Sequence, residues 1–369
     1  MQFEYDSPDI FDVIRSLDFG PLQATFHPYR LEFNRPSRTS RGVMNHRDIW
    51  ILKVWEKENP EVFGLGECAP LPGLSIDTPK IVEDTLIDVC HRPNEFVQWL
   101  SGGLDHAPSV NFALEQALID LHRGGKRILF PSKFTQGNEQ ITINGLIWMG
   151  NPQYMIDQIN EKIHSGFRCI KMKIGGISFN EEIKILQELR DTFGYDEIEI
   201  RVDANGAFHP DEAIDKLEEL APLNIHSIEQ PIQSGQWEEM ADLCRISPIP
   251  IALDEELIGE TDRYSKQELL ETIMPSYLIL KPTLLAGLQH TAEWIELAEE
   301  ANIGWWITSA LESNLGLNAI AQWTFTLQNP MPQGLGTGQL FKNNFESPLH
   351  IQHESLMFNP GTPWNINLE

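Results

Sequence analysis

Cys169-Ile170-Lys171-Met172-Lys173-Ile174-Gly175 is a short apolar run interrupted by two lysines one residue apart. In an extended strand alternate side chains share a face, so Lys171 and Lys173 point one way and Met172 the other. Two ammonium groups on one face repel, which makes the neutral amine of one easier to reach. A lysine that loses its proton near neutral pH can serve as a general base. A strand end with both cations in solvent reads the same way in isolation, so the surroundings of the run decide between the two.

Outward from this run, short apolar strands alternate with helical periodicity. Strands read at 141–148, 169–174, 198–202, 225–228, 249–253, 277–280 and 303–308. Helices read at 152–164, 179–192, 210–220, 237–244, 262–272, 288–300 and 315–327. Continuous apolar strands followed by helices are the pattern of a parallel sheet covered on both faces. Seven such units predict an α/β fold, a closed (β/α) barrel of the TIM type rather than an open sheet.

Residues 1–135 precede this rhythm and read as an α+β capping domain, strands first and helices after. The first 20 or so residues look like a helical extension; strands follow at 22–33, 49–55 and 62–70, and helical periodicity runs over 78–123. Between the first two strands lies Asn34-Arg35-Pro36-Ser37-Arg38-Thr39-Ser40-Arg41-Gly42, a cationic stretch with no apolar period, read as a loop. It is either a solvated hairpin connection or a mobile flap whose Arg41 meets a substrate carboxylate, since arginine offers a planar donor fork. The barrel domain is expected over 136–332. The Gly/Pro-rich tail, 333–369, is strand-like at 349–352 and is expected to return to the capping domain.

Barrel chemistry sits at the C-terminal ends of the strands. Asp203 follows Ile198-Glu199-Ile200-Arg201-Val202, Glu229 follows Ile225-His226-Ser227-Ile228, and Asp254 follows Ile249-Pro250-Ile251-Ala252-Leu253. The gaps, 26 residues from 203 to 229 and 25 from 229 to 254, are one barrel unit each, so three adjacent strands would deliver three carboxylates to one spot. Acidic residues also commonly cap helices. Three at consecutive strand ends instead point to a hard divalent cation, Mg²⁺ or Mn²⁺, because they cannot all stay ionised without one. The next strand ends in Lys281, which a closed barrel sets opposite Lys173. Ser309, after the following strand, is a candidate for holding a substrate carboxylate. Gly334-Leu335-Gly336-Thr337-Gly338 could present backbone N–H groups to an anion.

The 369-residue chain carries 54 acidic against 27 basic residues, a formal charge of −27, which disfavours nucleic acid and anionic membranes as partners. Four scattered cysteines with no C-x-x-C pair fit a reducing compartment rather than a disulfide framework or zinc ribbon. No signal peptide and no membrane span are expected, so the chain reads as cytoplasmic. The oligomeric state is left open, a homo-oligomer included.

Lys-x-Lys, then Asp, Glu and Asp on the next three strands, then Lys, resembles the enolase superfamily in its muconate-cycloisomerase-like branch. Five further segments carry the likeness: Arg35-Pro36-Ser37 to Gly42, Gly64-x-Gly66-Glu67-Cys68, Leu74-Ser75-Ile76-Asp77, Arg201-x-Asp203-x-Asn205-Gly206, and Thr308-Ser309-Ala310-Leu311-Glu312-Ser313-x-x-Gly316-Leu317-Asn318. The resemblance spans nearly the whole chain and implies a modified (β/α)7β TIM-type barrel under an α+β capping domain built from the N-terminal part and the C-terminal tail. It implies Mg²⁺ on Asp203, Glu229 and Asp254, and proton abstraction alpha to a carboxylate through an enediolate. Lys173 is expected as the base and Lys171 as the cation that tunes it; Lys281 is expected to stabilise the intermediate. Arg201, Asn205, Ser309 and Arg41 are expected around the small-molecule carboxylate substrate. The motif set is most similar to members that dehydrate a succinyl-hydroxy-cyclohexadiene carboxylate to succinylbenzoate, a step of menaquinone biosynthesis. N-acylamino acid racemisation and dipeptide epimerisation on the same scaffold are the rivals. The epimerases usually carry Asp-x-Asp where this chain has Ser309-Ala310-Leu311. A Schiff-base aldolase using Lys281 would leave the three carboxylates unexplained.

Overall fold

The computed structural model of the chain describes residues 9–39 and 42–368. An antiparallel sheet of β1 (Leu22–Thr39), β2 (Gly42–Glu56) and β3 (Phe63–Cys68) follows a short helix, Ile10–Arg15. β2 is apolar on both faces, and each face has its own core. Trp50, Leu52 and Val54 pack with Val82, Leu86 and Val89 of helix Pro79–His91 and with Val110, Ala113 and Ala117 of helix Pro108–His122. Ile49 and Ile51, one residue out of phase, pack with Leu311, Leu315, Phe341 and Phe345 from the C-terminal half. Two glycines let β3 lie against the second helix. A Cβ on Gly64 or Gly66 would stand 1.8 Å from the carbonyl oxygen of Ala117 or Ala113.

The arginine-rich stretch read as a loop is largely strand. β1 and β2 stay paired through Ser37↔Met44, Arg38↔Val43 and Thr39↔Gly42, with a register shift between Glu32 and Ser37. The pairing needs only backbone groups, and residues 34–36 and most of 42–46 are exposed, so no apolar alternation marked it. Arg41 and Ser40 lie outside the described residues.

β4 (Ile141–Thr142) begins the second half, and the run read as one strand over 141–148 is two. β4 pairs elsewhere, whereas β5 (Gly145–Ile147) opens the parallel sheet. β6 (Cys169–Lys173), β7 (Glu199–Asp203), β8 (Ser227–Glu229), β9 (Ile251–Leu253), β10 (Tyr277–Leu280) and β11 (Gly304–Ile307) follow in sequence order, each hydrogen-bonded to the one before. Each of the seven strands is followed by a helix: Pro152–His164, Phe179–Thr192, Pro210–Leu220, Trp237–Ile246, Arg263–Ile273, Gly287–Glu300 and Asn314–Thr326. Alternate residues split cleanly. Ile170, Met172, Ile200, Val202, Ile228, Leu253, Leu280 and Ile307 join the large core cluster, while Ala252, Ile279 and Trp306 form a separate one.

Gln333-Gly334 closes the barrel as its eighth strand. Gln333 N–H donates to the Thr142 carbonyl and accepts at its own carbonyl from Asn144 N–H; Gly334 N–H donates to Ile307 and its carbonyl accepts from Ser309 N–H. Past that point Phe341 bridges Phe33 on β1. β12 (Leu349–Gln352) and β13 (Ser355–Phe358) then form a small sheet with β4.

Buried polar groups fasten the halves together. Glu67, on β3, accepts from the N–H groups of Ser313 and Gly316 at 2.8 Å each and caps helix Asn314–Thr326. Glu115 caps helix Gly287–Glu300 through Leu288 N–H and Gln289 N–H. Arg47 is buried and donates to the carbonyls of Ala69 and Ala310. Among the described residues no helix is long and apolar enough to cross a membrane.

Candidate active site at the barrel mouth

Parallel pairing puts Lys173, Asp203 and Glu229 side by side at the ends of β6, β7 and β8. Asp254 and Lys281 stand immediately after β9 and β10. The lysines link the carboxylates in a chain. Lys171 Nζ lies 2.9 Å from Asp203 Oδ2 and also donates to Glu229 Oε2. Lys281 Nζ donates to Asp254 Oδ2 and lies 3.7 Å from Glu229 Oε1. Lys173 Nζ is 2.8 Å from Asp203 Oδ2 and 2.7 Å from Asn205 Oδ1. Lys171, Asp203, Glu229 and Asp254 are buried.

Burial penalises every one of these charges, so their mutual field decides their state. Burial alone would lower Lys171, but attraction to Asp203 and Glu229 outweighs it and holds the ammonium above the ordinary lysine range. Lys281 is raised for the same reason, against burial, by Asp254 and Glu229. Asp203 is held well below the carboxylate range: burial opposes its charge, and Lys171 and Lys173 more than compensate. Asp254 goes the other way, because burial dominates and Glu255 and Glu229 add to it against Lys281.

Lys171, Lys173 and Lys281 line one cavity of about 760 Å³, part of it open to solvent. Leu146, Trp148, Leu311, Met44, Leu71 and Leu74 give it apolar walls, the last three contributed by β2 and the turn after β3. Ser309 and Asn205 line it, as do Gly334, Gly336 and Thr337 of the glycine-rich segment. Ser309 Oγ is hydrogen-bonded to Thr337 Oγ1. The capping-side residues Met44, Leu71 and Leu74 carried no sequence signal, being apolar residues of a hairpin and a turn.

Arg201 does not line this cavity, contrary to the expected substrate contact. It pairs in register with Lys171, two residues below the strand end, and is buried. Its Nε is 2.7 Å from Glu199 Oε1, its Nη1 donates to the Pro332 carbonyl at 2.9 Å, and its guanidinium lies 4.0 Å over the Trp306 ring. A residue two positions back on a strand keeps its face but drops one layer, about 6.6 Å. Asn205 has both ends of its amide engaged, by Lys173 and, at 3.1 Å, by Glu255 Oε1. The expected contact of Arg41 falls outside the described residues.

Among the described residues no three carboxylate, imidazole or thiol groups enclose a single point. The cations that stand between Asp203, Glu229 and Asp254 are the ammonium groups of Lys171 and Lys281. The donor set still fits a hard divalent ion. It is three carboxylates from consecutive strands, and Glu229 Oε1 is buried without a hydrogen-bond partner.

Residues 154–362 match the family model described as enolase C-terminal domain-like. The chain is 44% identical over 361 aligned residues to the o-succinylbenzoate synthase of Desulfotalea psychrophila, covering 89% of this chain and 97% of that protein. The crystal structure of MenC from Desulfotalea psychrophila LSv54 superposes with a TM-score of 0.82 at 40% identity, covering 92% of this chain and all (100%) of that one. Similarity to the D-Ala-D/L-Ala epimerase of Cytophaga hutchinsonii is lower, 26% over 318 residues, covering 81% and 82% of the two chains.

Proposed function

The chain belongs to the enolase C-terminal domain-like family, and on that premise we propose that it dehydrates 2-succinyl-6-hydroxy-2,4-cyclohexadiene-1-carboxylate to o-succinylbenzoate. It is an enzyme, a hydro-lyase homologous over nearly its whole length to o-succinylbenzoate synthase. The observation that carries the reading is the cavity in which Lys173 and Lys281 face a shared space, with three carboxylates tied to them.

The proton alpha to a carboxylate is very weakly acidic, and its removal places negative charge on the carboxylate oxygens. Asp203, Glu229 and Asp254 would hold Mg²⁺, with Mn²⁺ as a substitute, and the ion supplies the Lewis-acid charge for those oxygens. Lys173 takes the proton as general base. Lys171 remains an ammonium, pinned between two carboxylates, and contributes fixed positive charge beside the base. Lys281 supplies a cation on the other wall. Loss of hydroxide, which leaves with the abstracted proton as water, aromatises the ring and makes elimination downhill. The apolar walls from Met44, Leu71, Leu74, Trp148 and Leu311 accept the ring and keep water from the amine. Arg41, with its planar donor fork, would meet the second carboxylate of the substrate. The product is an intermediate of menaquinone biosynthesis, and the setting is cytoplasmic.

Lys173→Ala should abolish exchange of the alpha proton with solvent, read by NMR in deuterium oxide, while divalent-cation binding survives. Turnover near the wild-type rate would sink the base assignment. A second reading, N-acylamino acid racemisation, is favoured by one observation: two lysines line the same cavity, as a two-base reaction requires. Parallel assays with the cyclohexadiene carboxylate and an N-succinyl amino acid separate the two.

A further inference from the structure

We infer that Asn205 is a positioning residue, which aims the Lys173 amine into the substrate cavity by tethering it to Glu255. The inference rests on Lys173 being the base. Asn205 Oδ1 accepts from Lys173 Nζ at 2.7 Å, and Asn205 Nδ2 donates to Glu255 Oε1 at 3.1 Å. Glu255 fixes the amide orientation, because a carboxylate only accepts and so takes the NH2 group, which leaves the oxygen for Lys173. The tether thus spans three strands: β6 supplies the lysine, the turn after β7 the amide, and the turn after β9 the carboxylate.

The turn that presents Asn205 is itself held. Its φ is 45°, a left-handed conformation that asparagine tolerates better than most residues. Asn205 N–H donates to Asp203 Oδ1 at 3.1 Å, and Gly206 N–H donates to the Gln230 carbonyl at 2.7 Å. A lysine side chain has four rotatable carbons and a compact charge, so its head group goes where its partners hold it. Of the two partners seen here, Asp203 also belongs to the carboxylate set, which leaves Asn205 as the contact dedicated to Lys173.

Asn205 is also a partition. Besides the substrate cavity, it lines a second, more polar cavity of about 1180 Å³, partly open to solvent, with Gln230, Gln233, Ser234, Glu255 and Gly73. Lys173 lines the substrate cavity and not that space. Asn205, expected from the sequence at the substrate, does line the substrate cavity, and each end of its amide also holds a protein partner there.

The test compares Asn205→Gly, which suits a positive φ, and Glu255→Ala with the wild-type enzyme at saturating Mg²⁺. Binding of o-succinylbenzoate by calorimetry counts intact sites. A displacement of the amine by about 1 Å costs on the order of 10²-fold in rate. The expected result for Asn205→Gly is a kcat lowered about 10- to 100-fold, KM within about 3-fold, and one product site per chain as before. Glu255→Ala should shift kcat in the same direction by less, and it decides the matter if Asn205→Gly does not fold. Three results overturn the inference: a kcat within about 3-fold of wild type, a raised KM at unchanged kcat, or a fall in kcat matched by a loss of product sites. A Lys173→Ala enzyme that keeps exchanging the alpha proton refutes the base assignment instead, whatever Asn205 does.

Discussion

Replacing Lys171 by methionine removes one positive charge from the buried chain of carboxylates while keeping side-chain volume. Lys171 is 6% exposed and contacts Asp203 and Glu229, which are 0% and 2% exposed. Without it, Glu229 keeps only Lys281 at 3.7 Å, and Asp203 keeps Lys173. Breaking a buried ion pair from one side costs about 3–5 kcal/mol, because the remaining charge is stranded. Unfolding entropy of about 2.1 cal/mol/K per residue over 369 residues is roughly 0.8 kcal/mol/K, so Tm should fall by about 4–6 °C in EDTA. A divalent cation bound by the same carboxylates restores the missing charge. In saturating Mg²⁺ the deficit should therefore shrink to less than half, read by calorimetry on both proteins in both buffers. A loss of the same size with and without Mg²⁺, or a loss under about 1 kcal/mol in EDTA, would refute the view that Lys171 is the neutralising cation of this set.

Chelation of wild-type enzyme with EDTA should stop turnover, and added Mg²⁺ should restore it; activity indifferent to chelation removes the metal from the account. Glu115→Gln addresses the capping carboxylate. Burial pushes Glu115 up to about 7 from an ordinary 4.5, against the N–H groups it accepts from. A carboxyl raised in the folded state favours folding below its unfolded pKa, and that contribution is lost as pH rises through about 7. Denaturant melts should thus show the wild type losing on the order of 3 kcal/mol relative to Glu115→Gln between pH 5 and pH 8; a constant difference across that range contradicts the burial argument. Gly66→Ala sets a methyl 1.8 Å from the Ala113 carbonyl, a backbone atom that no rotamer change can move aside. A destabilisation of about 3 kcal/mol is expected by chemical denaturation, and a neutral substitution would mean that β3 slides freely on its helix.

The barrel was legible because most of its strands are buried on both faces and so read as short apolar runs, Tyr277 to Leu280 among them. Asp203, Glu229 and Asp254 were legible because one barrel unit is nearly constant in length, which turns sequence spacing into adjacency. The outer half of the β1–β2 hairpin was not, since residues 34–36 and most of 42–46 are exposed and show no apolar period to detect. Arg201 shares a face with Asp203, but sequence alone does not separate the layers, and Trp306 and Pro332, which claim it, lie more than 100 residues on. The engagement of Asn205 was hidden for the same reason: Lys173 and Glu255 come from different strands. The apolar cavity wall depends on how the capping domain seats on the barrel, and Met44 or Leu71 carries no local mark of that.

Closure of the barrel by Gln333-Gly334 bears on how the polypeptide is made. A nascent chain emerging from the ribosome has no eighth strand until residues 333 and 334 have been translated. The first sheet waits on the same stretch, because Phe341 bridges to Phe33 just beyond it. Neither half can finish assembling before that stretch has emerged, even though N-terminal units ordinarily fold first. A message cut short before codon 333 yields an open cylinder with unpaired edges on β11 and β5, a substrate for chaperones and proteases rather than a weakened enzyme.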